Sequence, residues 1–348
     1  MPQHQAQPGV VHGGPTQNAI VLPRDRSHPF RLAMKLPLFL HRSTCTLFLL
    51  LSLSAFAIIP ATAEPAKVEL HGNTELLKTV LQKSGTPVTV VEAGKGDLIL
   101  SSSLGPILAI SDELARLPND FVVKLPPEAA AADGHWASLA ANPRALIYSK
   151  TAIDSDDLPD GLDQIDDPEW KNRLGWAPTD AGFQTMISVM RISQGDAATL
   201  KWLEAVAQNG AKTFASEQAA AQAVAEGQLD GALASLQVGA MIQKTNPESA
   251  PGLYPFAAGD AGSFVDHIVV AARTEQETAD PLLIWLISKS GQQAFASQML
   301  YPMSAEVKAN IALEPLDEMN QPSVDPSALT DLAGTQALLE KAGLLPKD

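Results

Sequence analysis

The sequence predicts an α/β protein built on a largely parallel sheet. Two observations carry that expectation. Short runs rich in β-branched residues alternate with helix-period segments along the chain. The composition is globular, with 45 % apolar and 18 % charged residues among 348. That length suits one large domain or two, and no internal repeat is visible.

The elements follow in order. Glu64 to Leu70 reads as a short strand. Asn73 or Thr74 caps a helix through Gln82, with Leu76, Leu77, Val80 and Leu81 on one face. Val88–Val91 and Asp97–Leu100 are strands by their side chains. Only Glu92 to Gly96 separates them, and a parallel crossover needs a dozen or more residues, so a hairpin or one bent strand is expected. Pro106 to Arg116 reads as a helix and Arg144 to Tyr148 as a strand with an arginine at its mouth. Helices follow over Gly182–Arg191 and Asp196–Gln208, then one capped by Ser216 that runs to Glu226 and ends at Gly227. Leu229–Leu233 and Phe264–Ala271 are buried strands. Helices over Glu275–Ile287, Gly291–Leu300 and Pro326–Ala342 complete the chain.

The N-terminal stretch reads as an export signal. Met34-Lys35, His41 and Arg42 precede an apolar run from Leu47 to Ile59, then Ala61-Thr62-Ala63. A basic start, a short apolar centre and an A-x-A end describe a signal peptide cleaved after Ala63. A membrane anchor is the other reading, but the run falls short of the ~20 residues a spanning helix needs. Residues 1–33 read as an extension upstream of a start at Met34. The chain carries 24 Lys and Arg against 39 Asp and Glu, a net charge of −15. Cleavage removes Arg24, Arg26, Arg31, Lys35, Arg42 and Asp25, leaving 19 basic against 38 acidic residues. Such acidity argues against nucleic acid, whose phosphates need a basic surface. Cys45, the single cysteine, leaves with the signal, so core packing alone must stabilise the exported chain. His71, His135 and His267 are its remaining histidines, and a three-histidine metal site would need all of them. There is no Walker A motif, no G-x-G-x-x-G after a strand and no G-x-S-x-G elbow. No cofactor is implied.

Several stretches resemble the ferric-iron-binding periplasmic proteins of ABC importers. They are Asp167-Pro-Glu-Trp-Lys-Asn-Arg-Leu-Gly-Trp-Ala-Pro-Thr179, Ala198–Leu203, Ala221–Leu233, Ser290–Gln293, Tyr301-Pro302 and Leu338–Gly343. The resemblance covers roughly residues 68 to 345 and is strongest from 145 onward. It implies a two-lobe periplasmic-binding-protein fold, like a transferrin lobe, that closes by a hinge at two crossing strands. Lobe 1 is expected over 64–145 plus 266–305, and lobe 2 over 146–265 plus 306–348. The crossings are expected at Arg144–Ser149 and Val265–Val270. The implied function is the periplasmic substrate-binding subunit of an ABC importer, a monomer that hands a small ligand to an inner-membrane permease. The alternatives are a secreted sensor that has lost transport and a secreted hydrolase.

The iron ligands that the resemblance implies do not carry over. The family's paired tyrosines fall on Gln237 and Val238, its histidine on Thr74 and its glutamate on Ser102. Amides and hydroxyls are poor Fe³⁺ ligands beside phenolate and carboxylate. A family helix also has no counterpart between Gly96 and Leu98. No metal site is expected, and the ligand is a small polar molecule: an oxyanion, a chelated iron or a small organic compound. The family's anion contact at a helix start falls on Thr179 and Asp180, where Asp180 either caps the helix or meets ligand. Ser101 and Ser102 follow a strand, where they bind ligand or cap the next helix. Arg144 enters a crossing strand, where it pairs with a ligand or with a neighbouring acid. Asp266 and His267 interrupt an apolar strand, and alternation sends one of them into a buried face or a wet cleft. These eight positions are the expected ligand contacts, with Gln237 as the eighth. None is expected to be catalytic.

Overall fold

The computed structural model describes residues 64–256, 259–310, 313, 315–316, 319 and 321–346. The signal peptide, its cleavage site and the extension before Met34 lie outside the described residues. The strands are β1 (Ala66–His71), β2 (Val88–Val91), β3 (Leu98–Ser101), β4 (Trp136–Tyr148) and β5 (Leu174–Trp176), followed by β6 (Lys212–Thr213), β7 (Gly231–Ser235), β8 (Gly252–Tyr254), β9 (Val265–Ala272) and β10 (Tyr301–Pro302). Their order is β2-β1-β3-β9-β4-β7-β5-β6, with β8 and β10 also paired to β4.

Neither the hairpin nor the single bent strand expected of β2 and β3 forms. Both strands pair parallel with β1, on its opposite edges. A six-residue link suffices because the two pairings are offset. β2 lies beside Ala66–Glu69 and β3 beside Val68–His71, so the chain runs back along the sheet by only one position. The link steps sideways over Glu69, whose carboxylate accepts the Gly96 N–H at 2.8 Å. A methyl group at Gly96 would stand 2.7 Å from the Leu98 carbonyl oxygen and 2.9 Å from the Glu69 nitrogen. Gly96→Ala should therefore cost on the order of 1–3 kcal/mol, as other overpacked sites do, read as a lower urea midpoint. An unchanged midpoint would show that the link can shift.

The sheet has two halves that share β4. From Trp136 to Pro143 this strand pairs with β9, and from Arg144 to Tyr148 it pairs with β7. The strand starts eight positions before the expected Arg144. Its first part, Ala-Ser-Leu-Ala-Ala-Asn-Pro, is too short of β-branched residues to signal a strand, and burial on both faces forms it instead. One apolar cluster, with Leu77, Phe121, Ile268, Leu283 and Phe295, fills the first half. Another, with Trp176, Phe183, Trp202, Leu203 and Leu339, fills the second.

Three expected helices are shorter than their patterns. The helix expected over Pro106–Arg116 forms only as α2 (Gly105–Leu108) and a 3-10 turn, because Ala115 donates its N–H to Ala272 at the sheet edge. The α3 turn (Asn119–Val122) follows. The helix expected from Glu275 starts only at Pro281, where Asp280 accepts the Leu282 N–H. The last helix breaks at Asp331 into a 3-10 turn and a terminal helix over Leu332–Lys341.

Candidate functional site

Besides α2 at Pro106 and the terminal helix at Leu332, four helices start at one cavity. They are α1 (Thr74–Leu81), α4 (Ala181–Gln194), α6 (Glu217–Ala225) and α7 (Leu236–Thr245); α5 (Asp196–Gln208) lies between α4 and α6 but away from the cavity. The cavity encloses about 850 Å³ between the two halves of the sheet. A helix start offers unpaired N–H groups and the positive end of the helix dipole. Three of the four are capped by their own side chains. Asn73 accepts the Leu76 N–H, Asp180 the Gly182 N–H and Ser216 the Ala219 N–H. The α7 start has no side-chain cap.

Six of the eight expected residues line this cavity: Ser102, Arg144, Thr179, Asp180, Gln237 and Asp266. Two do not. Ser101 is fully buried and donates its hydroxyl to the Ser103 carbonyl at 2.6 Å. His267 points to the opposite face from Asp266, as strand alternation demands, and its Nδ1 lies 2.8 Å from the Ser138 hydroxyl. Burial holds its imidazole down at about 4, so it is neutral. His71 also turns away, with Nε2 3.4 Å from Glu69. His135 pairs at the surface with Asp133. The serines do not cap the next helix. Ser102 accepts the Asn73 N–H at 2.7 Å, and α2 has no side-chain cap.

Arg144 is the centre of the site. It is 2 % exposed, and its Nη1 stands 2.5 Å from Glu217 Oε1. The contact is a buried ion pair that holds Glu217 Oε1 against the guanidinium. Arg144 Nε and Nη2 are buried donors without a partner. Asn142, two residues earlier on the same strand face, holds an unsatisfied Oδ1. Among the described residues, three buried polar atoms without a partner thus belong to this one wall.

Three carboxylates face that arginine. Glu217 is buried, and its Oε2 accepts the Ser235 N–H at 2.8 Å. Burial pushes its carboxyl up to about 7 against the pull of Arg144, and Asp180 adds to the rise. Asp266 accepts from the Ser103 hydroxyl at 2.5 Å, the Leu104 N–H at 2.9 Å and its neighbour's N–H at 2.8 Å. Burial still raises it to about 6. Gly182 sits where these groups meet. A methyl there would lie 2.9 Å from Arg144 Nη1, 3.3 Å from Asp180 Oδ1 and 3.6 Å from Asp266 Oδ2. A side chain at this position would have to push the guanidinium aside.

Sequence reasoning missed Glu217 and Asn142. Glu217 reads as an ordinary acid in a first helical turn, which is normally solvated. Asn142 carried a usable signal, since alternation places it beside Arg144 once the strand is extended backward. None of Tyr148, Tyr254 and Tyr301 lines the cavity. Among the described residues no group of three or more His, Cys, Asp or Glu could hold a metal ion.

A family model described as bacterial extracellular solute-binding protein matches residues 107–326. The major ferric iron-binding protein of Neisseria meningitidis serogroup B is 29 % identical over 220 residues, or 62 % of this chain. The match spans 66 % of that relative, just under two thirds of its length. The Fe(3+)-binding periplasmic protein of Serratia marcescens is 25 % identical over 283 residues, 79 % of this chain and 81 % of that one. The crystal structure of iron-bound HitA from Pseudomonas aeruginosa superposes with a TM-score of 0.71 at 24 % identity, over 80 % of this chain and 100 % of that one. That likeness concerns the fold, and it agrees with two α/β halves around a cleft. The family model spans more than half of the chain, and the chain belongs to the bacterial extracellular solute-binding proteins.

Proposed function

We propose that this chain is the substrate-binding subunit of an ABC importer and captures a small ligand through an oxyanion. Arg144 carries the reading, because its Nε and Nη2 are buried without acceptors in a wall where helices begin. The two nitrogens form one edge of the guanidinium, which takes two oxygens side by side. Ser102, Thr179, Asp180, Gln237 and Asp266 complete the contacts. Residues 64–145 with 266–305, and 146–265 with 306–348, act as lobes that close over the ligand. The closed form is what an inner-membrane permease recognises. Export to the periplasm, cleavage after Ala63 and action as a monomer belong to the same reading.

The named relatives bind ferric iron. The iron chemistry that fits this cavity is a chelate whose oxyanion meets Arg144, since no tyrosine reaches the site. Titration with ferric citrate and with citrate alone separates the two sources. Both should bind, and ferric citrate should give no tyrosinate-to-iron absorption band. A strong visible band saturating at one iron per protein would overturn the reading. Tyr148, Tyr254 and Tyr301 would then be the residues to replace.

A further inference from the structure

We propose that the ligand is a zwitterion, in which a protonated amine accompanies the oxyanion, and that Asp180 holds the amine. The inference rests on the oxyanion reading above and narrows its ligand class. Among the described residues that line the cavity, Arg144 is the one cation, against the four acids Glu75, Asp180, Glu217 and Asp266. Acids alone would not mark a site. Here they surround an arginine that is 2 % exposed and keeps two donors without a partner.

Three of the four acids are already answered by the protein. Glu217 is held against Arg144 Nη1. Asp266, on β9, accepts from three donors. Glu75, exposed in the first turn of α1, pairs with Lys78 at 2.8 Å. Asp180 differs. Its Oδ1 caps α4 by accepting the Gly182 N–H at 2.9 Å, and among the described residues no cation pairs with it. The residue is half-buried, and Oδ2, which accepts no hydrogen bond from the described residues, opens on the cavity.

Glu217 matches the charge of Arg144, so the wall as a whole is negative. An oxyanion that comes alone to the guanidinium therefore adds a second negative charge beside Asp180. The two side chains converge on Gly182, where a methyl would lie 2.9 Å from Arg144 Nη1 and 3.3 Å from Asp180 Oδ1. At such spacing, in a cavity walled by protein, like charges repel. The α4 start offsets about half an elementary charge, and the rest of the Asp180 charge faces the ligand. An amine on the ligand turns that repulsion into a charge-assisted hydrogen bond. Because both side chains meet at one glycine, a short spacer between amine and oxyanion suffices. β-Alanine and phosphoethanolamine have that form.

The test is calorimetric titration of the exported chain at pH 8 with two matched pairs of probes. β-Alanine is compared with propionate, and phosphoethanolamine with ethyl phosphate, so each pair differs by one protonated amine. The amine should raise affinity by about 10- to 100-fold, the range of a hydrogen bond to a charged group. Asp180→Asn should keep the fold, because asparagine caps a helix as well as aspartate does. It should bring the members of each pair to within about fivefold, the most that screened charges at longer range leave. The change should come from weaker binding of the zwitterion, while the bare anion binds as well as before or better. A merely structural cap would move both members together. Wild-type protein that does not distinguish the members of the pairs overturns the inference, and so does a variant that keeps the wild-type preference. The oxyanion reading is tested apart from it. If Arg144→Met abolishes the binding of every probe that wild type takes up, that reading stands even where the amine proves indifferent. If Arg144→Met leaves every probe bound as before, the oxyanion reading itself fails.

Discussion

Replacing Arg144 with methionine is expected to abolish phosphate and citrate binding and to cost roughly 3–5 kcal/mol of stability at pH 8. The side chain is buried, and among the described residues no second cation pairs with Glu217. Removing one partner of a buried pair strands the other charge, which costs more than the pair itself contributes. Glu217 has a way to escape, because burial already holds it near 7 and the loss of Arg144 takes away the group that pulls it down. The stability cost should therefore shrink at pH 6, where a neutral Glu217 needs no partner. The double variant Arg144→Met with Glu217→Gln should recover most of the stability and none of the binding. Urea unfolding and calorimetry read the two effects separately. A single variant that still binds citrate as wild type does would sink the site assignment.

The sequence made the alternation of strands and helices legible, because each element carries its own local signal. Asn73, Asp180 and Ser216 cap the helices they were expected to cap or adjoin. The misreadings are of another kind. The link between β2 and β3 turns on a register offset along β1, which only the folded pairing defines. The first half of β4 is a strand by burial rather than by propensity. At the site, residues in strand ends and helix starts were legible because topology places such positions at a cleft. Glu217 was not, because nothing local distinguishes a buried acid in a first helical turn from a solvated one. Ser101 and His267 stay outside the cavity because neighbouring strand residues face opposite ways.

Asp266 should give the second large effect, and its pH dependence has a definite sign. Its two oxygens hold the Ser103 hydroxyl and the N–H groups of Leu104 and His267. Asp266→Ala leaves these three donors without that acceptor, and a buried orphan costs about 1–3 kcal/mol, so a loss of roughly 3 kcal/mol or more is expected. Asp266→Asn keeps one accepting oxygen and should cost less. Burial raises the carboxyl from 3.8 to about 6, so the folded chain holds this proton more tightly than the unfolded chain does. The stabilisation from protonating it is fully present below the unfolded value and is lost as pH rises through about 6. Wild type should therefore gain on Asp266→Asn as pH falls from 8 to 5, by about 1 kcal/mol. The comparison with the variant matters, because other groups titrate in the same window. Buried His267, held neutral down to about 4, destabilises the fold as acid protonates the unfolded chain. The excess of acidic residues works the other way, since lowering the pH relieves their mutual repulsion. Both contributions are common to wild type and variant and cancel in the difference. A difference that stays flat between pH 8 and 5 would show that Asp266 keeps an ordinary carboxylate affinity for protons, and that its three donors outweigh its burial.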